Sequence, residues 1–159
     1  MGVILAGVSE TDDHVQLLGC RYIPIPTERY EHQSGAAIRV EREFSQQLMR
    51  ICAAEGLSQI DVHSHPFGPS PDLWFSGTDD LHEREMAQYI YEQLDNSLYA
   101  RIVMNQGFSR ARIWLPGSFG PQPHDIPEVT LVDFPYTTLD TSTSRPKGRA
   151  RRLKRGRSA

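Results

Sequence analysis

Cysteine is scarce. The 159 residues hold two, Cys20 and Cys52. Two thiols cannot build a disulfide framework, and they suit a reducing compartment, so a cytoplasmic protein is expected. Both sit in apolar contexts, one in a β-like run and one on a helix face, which predicts buried structural thiols. Long hydrophobic runs are missing too. None approaches the roughly 20 residues of a membrane span. The apolar start, Met1 to Gly7, lacks the basic region and cleavage pattern of a signal peptide. There is no internal repeat and no Gly-x-Ser nucleophile signal, and Gly68 and Gly77 form no phosphate loop. These absences exclude a disulfide miniprotein, a membrane protein and a repeat array. The length suits one core and falls short of two ordinary domains.

Charge is unevenly spread. Arg145 to Arg157 carries 8 basic residues and no acid, which leaves 9 basic and 20 acidic residues elsewhere. The chain reads as an acidic body over residues 1–140 and a basic tail over 141–159. Leu153 is almost the tail's only apolar residue, so the tail is expected to be disordered. Without an aromatic for base stacking, it predicts weak, non-specific polyanion contact rather than sequence recognition. A nucleic-acid-binding module working through this tail is the weakest reading of function.

Gly2 to Gly7 and Val15 to Ile25 read as a β-hairpin around the polar turn Ser9–Asp13. Tyr30 to Gly35 reads as a loop. Val40, Phe44, Leu48 and Cys52 recur every four residues and predict an amphipathic helix over Val40–Glu55, stopped by Gly56. Gln59–His63 predicts a strand. Asp79–Leu94 predicts a second helix, with Met86, Ile90 and Leu94 on one face. Tyr99–Asn105, Arg110–Leu115 and Glu128–Phe134 predict further strands. The order β-β-α-β-α-β-β-β indicates a mixed α/β or α+β layer fold.

The stretch Val62 to Asp80 concentrates the chemistry. His63 and His65 stand two apart at a strand end, so both imidazoles share one face and can meet one ion. Pro66 ends the strand. Ser76-Gly-Thr-Asp79 then opens a helix and can return a carboxylate to that ion. Two imidazoles and one carboxylate with an open position suit catalytic zinc. Each half has an ordinary reading: surface histidines two apart are common, and Ser-x-x-Asp is a helix N-cap pattern. Their conjunction has no shared structural reason.

The arrangement resembles the JAB/MPN metallopeptidase family, whose JAMM motif is an upstream Glu, then His-x-His, then Ser-x-x-Asp. The likeness runs in element order over Gly2 to Trp114, and Phe75–Asp80 looks like bacterial members found with ThiF-type activating enzymes. It implies a curved mixed sheet flanked by helices. It also implies zinc on His63, His65 and Asp79, with Ser76 hydrogen-bonding the oxyanion or the metal's water. The implied activity is cleavage of a ubiquitin-like protein or its conjugate after the C-terminal glycine, with a ThiF-type enzyme as a possible partner. Two departures stand out. Ten residues, Pro66 to Phe75, separate His65 from Ser76, longer than the family's usual spacing, which predicts a longer loop. Trp74 and Phe75 in it suit a substrate groove or, for Phe75, core packing. The family's general-base Glu precedes its first strand, but here that strand starts at Gly2. A start lying further upstream is the favoured account. An acid from another element or a partner, or zinc binding with poor hydrolysis, are the others. An MPN-like scaffold and a hydrolase acting on a small sulfur-carrier protein are the rival functions. His82 reads as a solvated helix residue.

Overall fold

The computed structural model describes residues 1–34, 38–65, 72–94, 97–131 and 137–140. The expected tail, 141–159, lies outside the described residues, as do Pro66 to Pro71 of the loop after His65.

The chain opens with β1 (Gly2–Glu10) and β2 (Val15–Pro24), the expected hairpin. Short strands β3 (Tyr30–Gln33) and β4 (Ile38–Val40) follow where a loop and the helix start were expected. Helix α1 (Arg42–Glu55) therefore begins two residues later than the periodicity suggests. Glu41 is extended, with ψ 133°, so Val40 leaves the helix and reaches the core from a strand. The helix stops at Gly56, whose φ of 64° is the left-handed cap that glycine adopts without strain.

Next come β5 (Ser58–Ser64), α2 (Gly77–Gln93), β6 (Tyr99–Met104), β7 (Ser109–Leu115), β8 (Gln122–Ile126), β9 (Glu128–Leu131) and β10 (Thr137–Asp140). Six strands form one mixed sheet in the order β2-β1-β5-β6-β7-β8. Its strands pair antiparallel except β5 with β6, which are parallel and joined through α2. The fold is thus mixed α/β, as the sequence indicates. The last expected strand is shorter, ending at Leu131, and Val132 to Phe134 lie outside the described residues.

Both faces of the sheet are covered, so β1, β5 and β6 are largely buried even where, as in β5, their residues are polar. On one face Val3, Leu5, Tyr99 and Trp114 pack with Leu48, Met49 and Cys52 of α1 and Ala87, Ile90 and Leu94 beside α2. On the other, Ile60, Ala100, Ile102, Ala111 and Ile113 form a second cluster with Ile126 and Val129 against it. Cys52 is buried as expected, and burial pushes its thiol up to about 11. Cys20 is not: it is exposed. The register between β1 and β2 shifts at Leu5/Ala6, with Arg21 opposite Leu5 and Gly19 opposite Ala6. Cys20 is the extra residue of this bulge on an edge strand, turned out of the ladder, and its thiol donates to the Leu5 carbonyl at 3.2 Å.

Candidate metal centre

The parallel pairing of β5 and β6 puts the start of α2 over the carboxyl end of β5. There the two halves of the motif meet. His63 lies near that end on the helix-covered face, and His65 follows directly after the strand. Asp79 sits in the first turn of α2. One donor atom from each of the three lies within 4.8 Å of the others. His63 Nε2 is 3.1 Å from His65 Nε2 and 3.8 Å from Asp79 Oδ1. Tetrahedral zinc with nitrogen and oxygen ligands needs donor atoms about 3.3 Å apart. The three donors lie close enough together that they could hold a metal ion.

Ser76 fixes the carboxylate. It is the N-cap of α2 in a reciprocal capping box. Its Oγ accepts from the Asp79 backbone N–H at 3.2 Å, and its own N–H donates to Asp79 Oδ2 at 2.8 Å. The Ser76 hydroxyl also donates to Oδ2, at 2.7 Å. The structural reading of Ser-x-x-Asp therefore holds. Oδ2 is engaged by Ser76, which leaves Oδ1 to face the histidines. Burial pushes the Asp79 carboxyl up. The Ser76 hydrogen bonds and the Arg101 guanidinium outweigh it and hold the group below its usual range. Substituting Ser76→Ala is expected to cost about 1 kcal/mol of stability through loss of the cap, read by thermal or urea unfolding. No change would mean that the Asp79 half of the box suffices.

Three residues that hydropathy does not single out surround the cluster. Arg101 on β6 donates from Nε to His63 Nδ1 at 3.1 Å, with Nη2 3.4 Å from Asp79 Oδ1. Burial, together with this cation, lowers His63 to about 3, so the ring is neutral near pH 7. Glu83, one turn beyond Asp79 on α2, is fully buried. Its Oε2 accepts from Arg112 Nε at 2.6 Å and Trp114 Nε1 at 2.8 Å. Arg112 also reaches Asp80 at 2.7 Å. Its guanidinium lies 3.8 Å from the centre of the Phe75 ring. Phe75 thus stacks on a buried arginine rather than entering the apolar core, while Trp74 beside it is 61% exposed. This stack and the Glu83 network tie the start of α2, with Ser76 and Asp79, to β7. A charged residue inside an otherwise apolar strand, as in Tyr-Ala-Arg101-Ile-Val, was the available signal for Arg101.

His82 is exposed on α2, as expected, and lines a cavity of about 460 Å³ between α1, α2 and β4. Arg101 and Asp61 also line that cavity, so Arg101 lies between it and the metal donors. Asp61 is held by Gln59 Nε2 and the Tyr99 hydroxyl, each at 2.8 Å. His14, His32 and His124 are exposed and outside the cluster.

No helix among the described residues is long and apolar enough to cross a membrane. Comparison with protein-family models, with curated proteins and with solved structures finds no match to this chain.

Proposed function

We propose that the chain is a zinc-dependent isopeptidase or peptidase of the JAB/MPN type, acting on a ubiquitin-like protein or its conjugate. The observation that carries this reading is the convergence of His63, His65 and Asp79 at the carboxyl end of β5, with Ser76 beside them. The order of hairpin, helix, histidine strand and capped helix agrees with it.

His63, His65 and Asp79 would hold zinc, which when bound would supply Lewis-acid polarisation of a carbonyl and a more acidic water. The chain's own residues do the rest. The two imidazoles offer lone pairs, and Asp79 Oδ1 offers the one negative charge. Ser76 orients that carboxylate, and on releasing Oδ2 its hydroxyl donates to the oxyanion that develops at the scissile carbonyl. An extended substrate tail adds to a sheet edge and so places its peptide bond. A ThiF-type activating enzyme is the partner this reading implies, in the cytoplasm. A small sulfur-carrier protein is the variant substrate.

A second reading, a scaffold of the same fold, draws on one observation. Among the described residues no glutamate joins the donor cluster, and general acid–base help is worth about 10²–10⁴-fold in rate.

The test is cleavage of ubiquitin-like and sulfur-carrier fusions, peptide- and isopeptide-linked, by the zinc-loaded chain. Release of the carrier ending in glycine is expected at a rate lowered about 10²–10⁴-fold by the missing general-base glutamate, and none from His63→Ala. Cleavage that survives His63→Ala would overturn the mechanism. Zinc binding without any cleavage selects the scaffold.

A further inference from the structure

Gln59, Asp61 and His63 stand two apart on β5, so they share one face of the sheet. Their cross-strand neighbours identify it as the face that the helices cover: Leu5 and Tyr99 flank Gln59, and Val3 lies opposite Asp61. His63 belongs to the metal donors, but Gln59 and Asp61 do not. They are 4% and 6% exposed, two polar side chains set in an apolar floor. Buried polar groups are kept where they have partners. Asp61 has two, accepting from Gln59 Nε2 and from the Tyr99 hydroxyl, each at 2.8 Å. Gln59 Oε1 has none among the described residues, although it is buried. Turning the amide over would not help. It would set Oε1 against Asp61 Oδ1, acceptor against acceptor.

Gln59 and Asp61 both line the cavity of about 460 Å³ under α1 and α2. That volume lies within the range of small-molecule pockets, about 300–1,000 Å³, whose walls are mostly apolar with a few convergent polar groups. Here Leu48, Met49 and Met86 supply apolar wall. Arg101 lines the cavity too, but its three nitrogens face His63, Asp79 and Glu83. The floor therefore offers the cavity acceptors: the unused Gln59 oxygen and the remaining lone pairs of Asp61. The rim differs in charge. Arg39 and Arg42 are exposed there and pair with no carboxylate among the described residues. Glu85 and His82 complete the rim from α2.

We propose that this cavity is a small-molecule binding site, separate from the metal donors. Its ligand carries N–H donors at the buried end, an apolar body, and a carboxylate or phosphate at the outer end. The donors meet Gln59 Oε1 and the Asp61 carboxylate, and the anion meets Arg39 and Arg42. Two kinds of molecule share this chemistry. A guanine nucleotide has an N–H edge on its base and a phosphate at the far end. A short apolar peptide has an ammonium at one end and a carboxylate at the other. The inference goes beyond the zinc reading and stands or falls without it.

The test titrates guanosine 5′-monophosphate and leucyl-leucine separately into the whole chain, by calorimetry and by the nitrogen-15 resonance of the Gln59 side-chain amide. Saturable binding of at least one probe is expected, with a shift of that resonance, and whichever binds names the source. Met86→Trp, which fills the cavity, should abolish binding. Gln59→Leu, which removes the acceptor, should weaken it about tenfold. Arg42→Gln alters an exposed side chain, and it should weaken binding and reduce its salt dependence. Saturable binding of neither probe at millimolar concentration overturns the proposal. So does binding that survives Met86→Trp in a folded chain. The unaltered chain gives an independent check, because a probe that binds without moving the Gln59 amide overturns the proposal whether or not the variants fold.

Discussion

Replacing both histidines, His63→Ala with His65→Ala, is expected to reduce bound zinc from about one ion per chain to none. Two of three donors are removed, and a lone carboxylate on a helix does not hold zinc at micromolar concentrations. Elemental analysis of the purified chains reads this directly. Unfolding reads it independently. Zinc at one hundred times its dissociation constant should stabilise the parent by about 2.7 kcal/mol and leave the double variant unmoved. The substitutions should cost the metal-free fold far less than they cost binding. His65 lies beyond the end of β5, and His63's ring meets Arg101, His65 and Asp79 rather than apolar core. Zinc in neither form would remove the hydrolase reading and leave a scaffold. Zinc retained by the double variant would mean that the ion sits elsewhere.

Removing the Glu83 carboxylate should have the largest effect on stability. Glu83→Ala leaves Arg112 without its 2.6 Å partner, Trp114 without its acceptor and Arg101 without one of its counter-charges. The site is fully buried, so water does not simply take the carboxylate's place. Breaking a buried ion pair by deleting one partner costs about 3–5 kcal/mol. That loss is expected here, measured by urea denaturation of the metal-free chain. Glu83→Gln keeps the volume and an acceptor for Trp114, and it should lose less. A loss below about 1 kcal/mol for Glu83→Ala would show that solvent reaches the arginines and that the network does not anchor α2 to the sheet. The prediction bears on the site, because the same helix presents Asp79 one turn earlier and is capped by Ser76.

Much of the fold is legible in residue order because local chemistry and burial agree there. Val3, Leu5, Leu48, Cys52 and Ile90 have the expected periodicity and all are buried. His63, His65 and Asp79 could be grouped before any coordinates, since strand alternation and a helix N-cap fix the direction of each side chain. The misses have the opposite character. Strands β3 and β4 are only four and three residues long, and they exist through pairing with each other. Strand β8, Gln-Pro-His-Asp-Ile, has no apolar alternation and forms by pairing to β7. Pro123 is tolerated at its outer position because β8 is an edge of this sheet. Cys20 looked like a core thiol until a register shift turned it outward.

The sequence by itself determined the class of fold, the presence of two helices, the Gly56 stop of the first, and the three side chains that could hold a metal ion. These depend on spacing along the chain: two residues per strand repeat, about four per helix turn, and a capping box closed within three residues. The tertiary structure decided what surrounds those donors. Arg101, Glu83 and Arg112 lie on separate elements, and only the β5-α2-β6 crossover and the neighbouring β7 bring them together. A charge inside a strand reads as solvent-facing unless the carboxylate that buries it is known, and that partner is set by packing at long range rather than by neighbours in sequence.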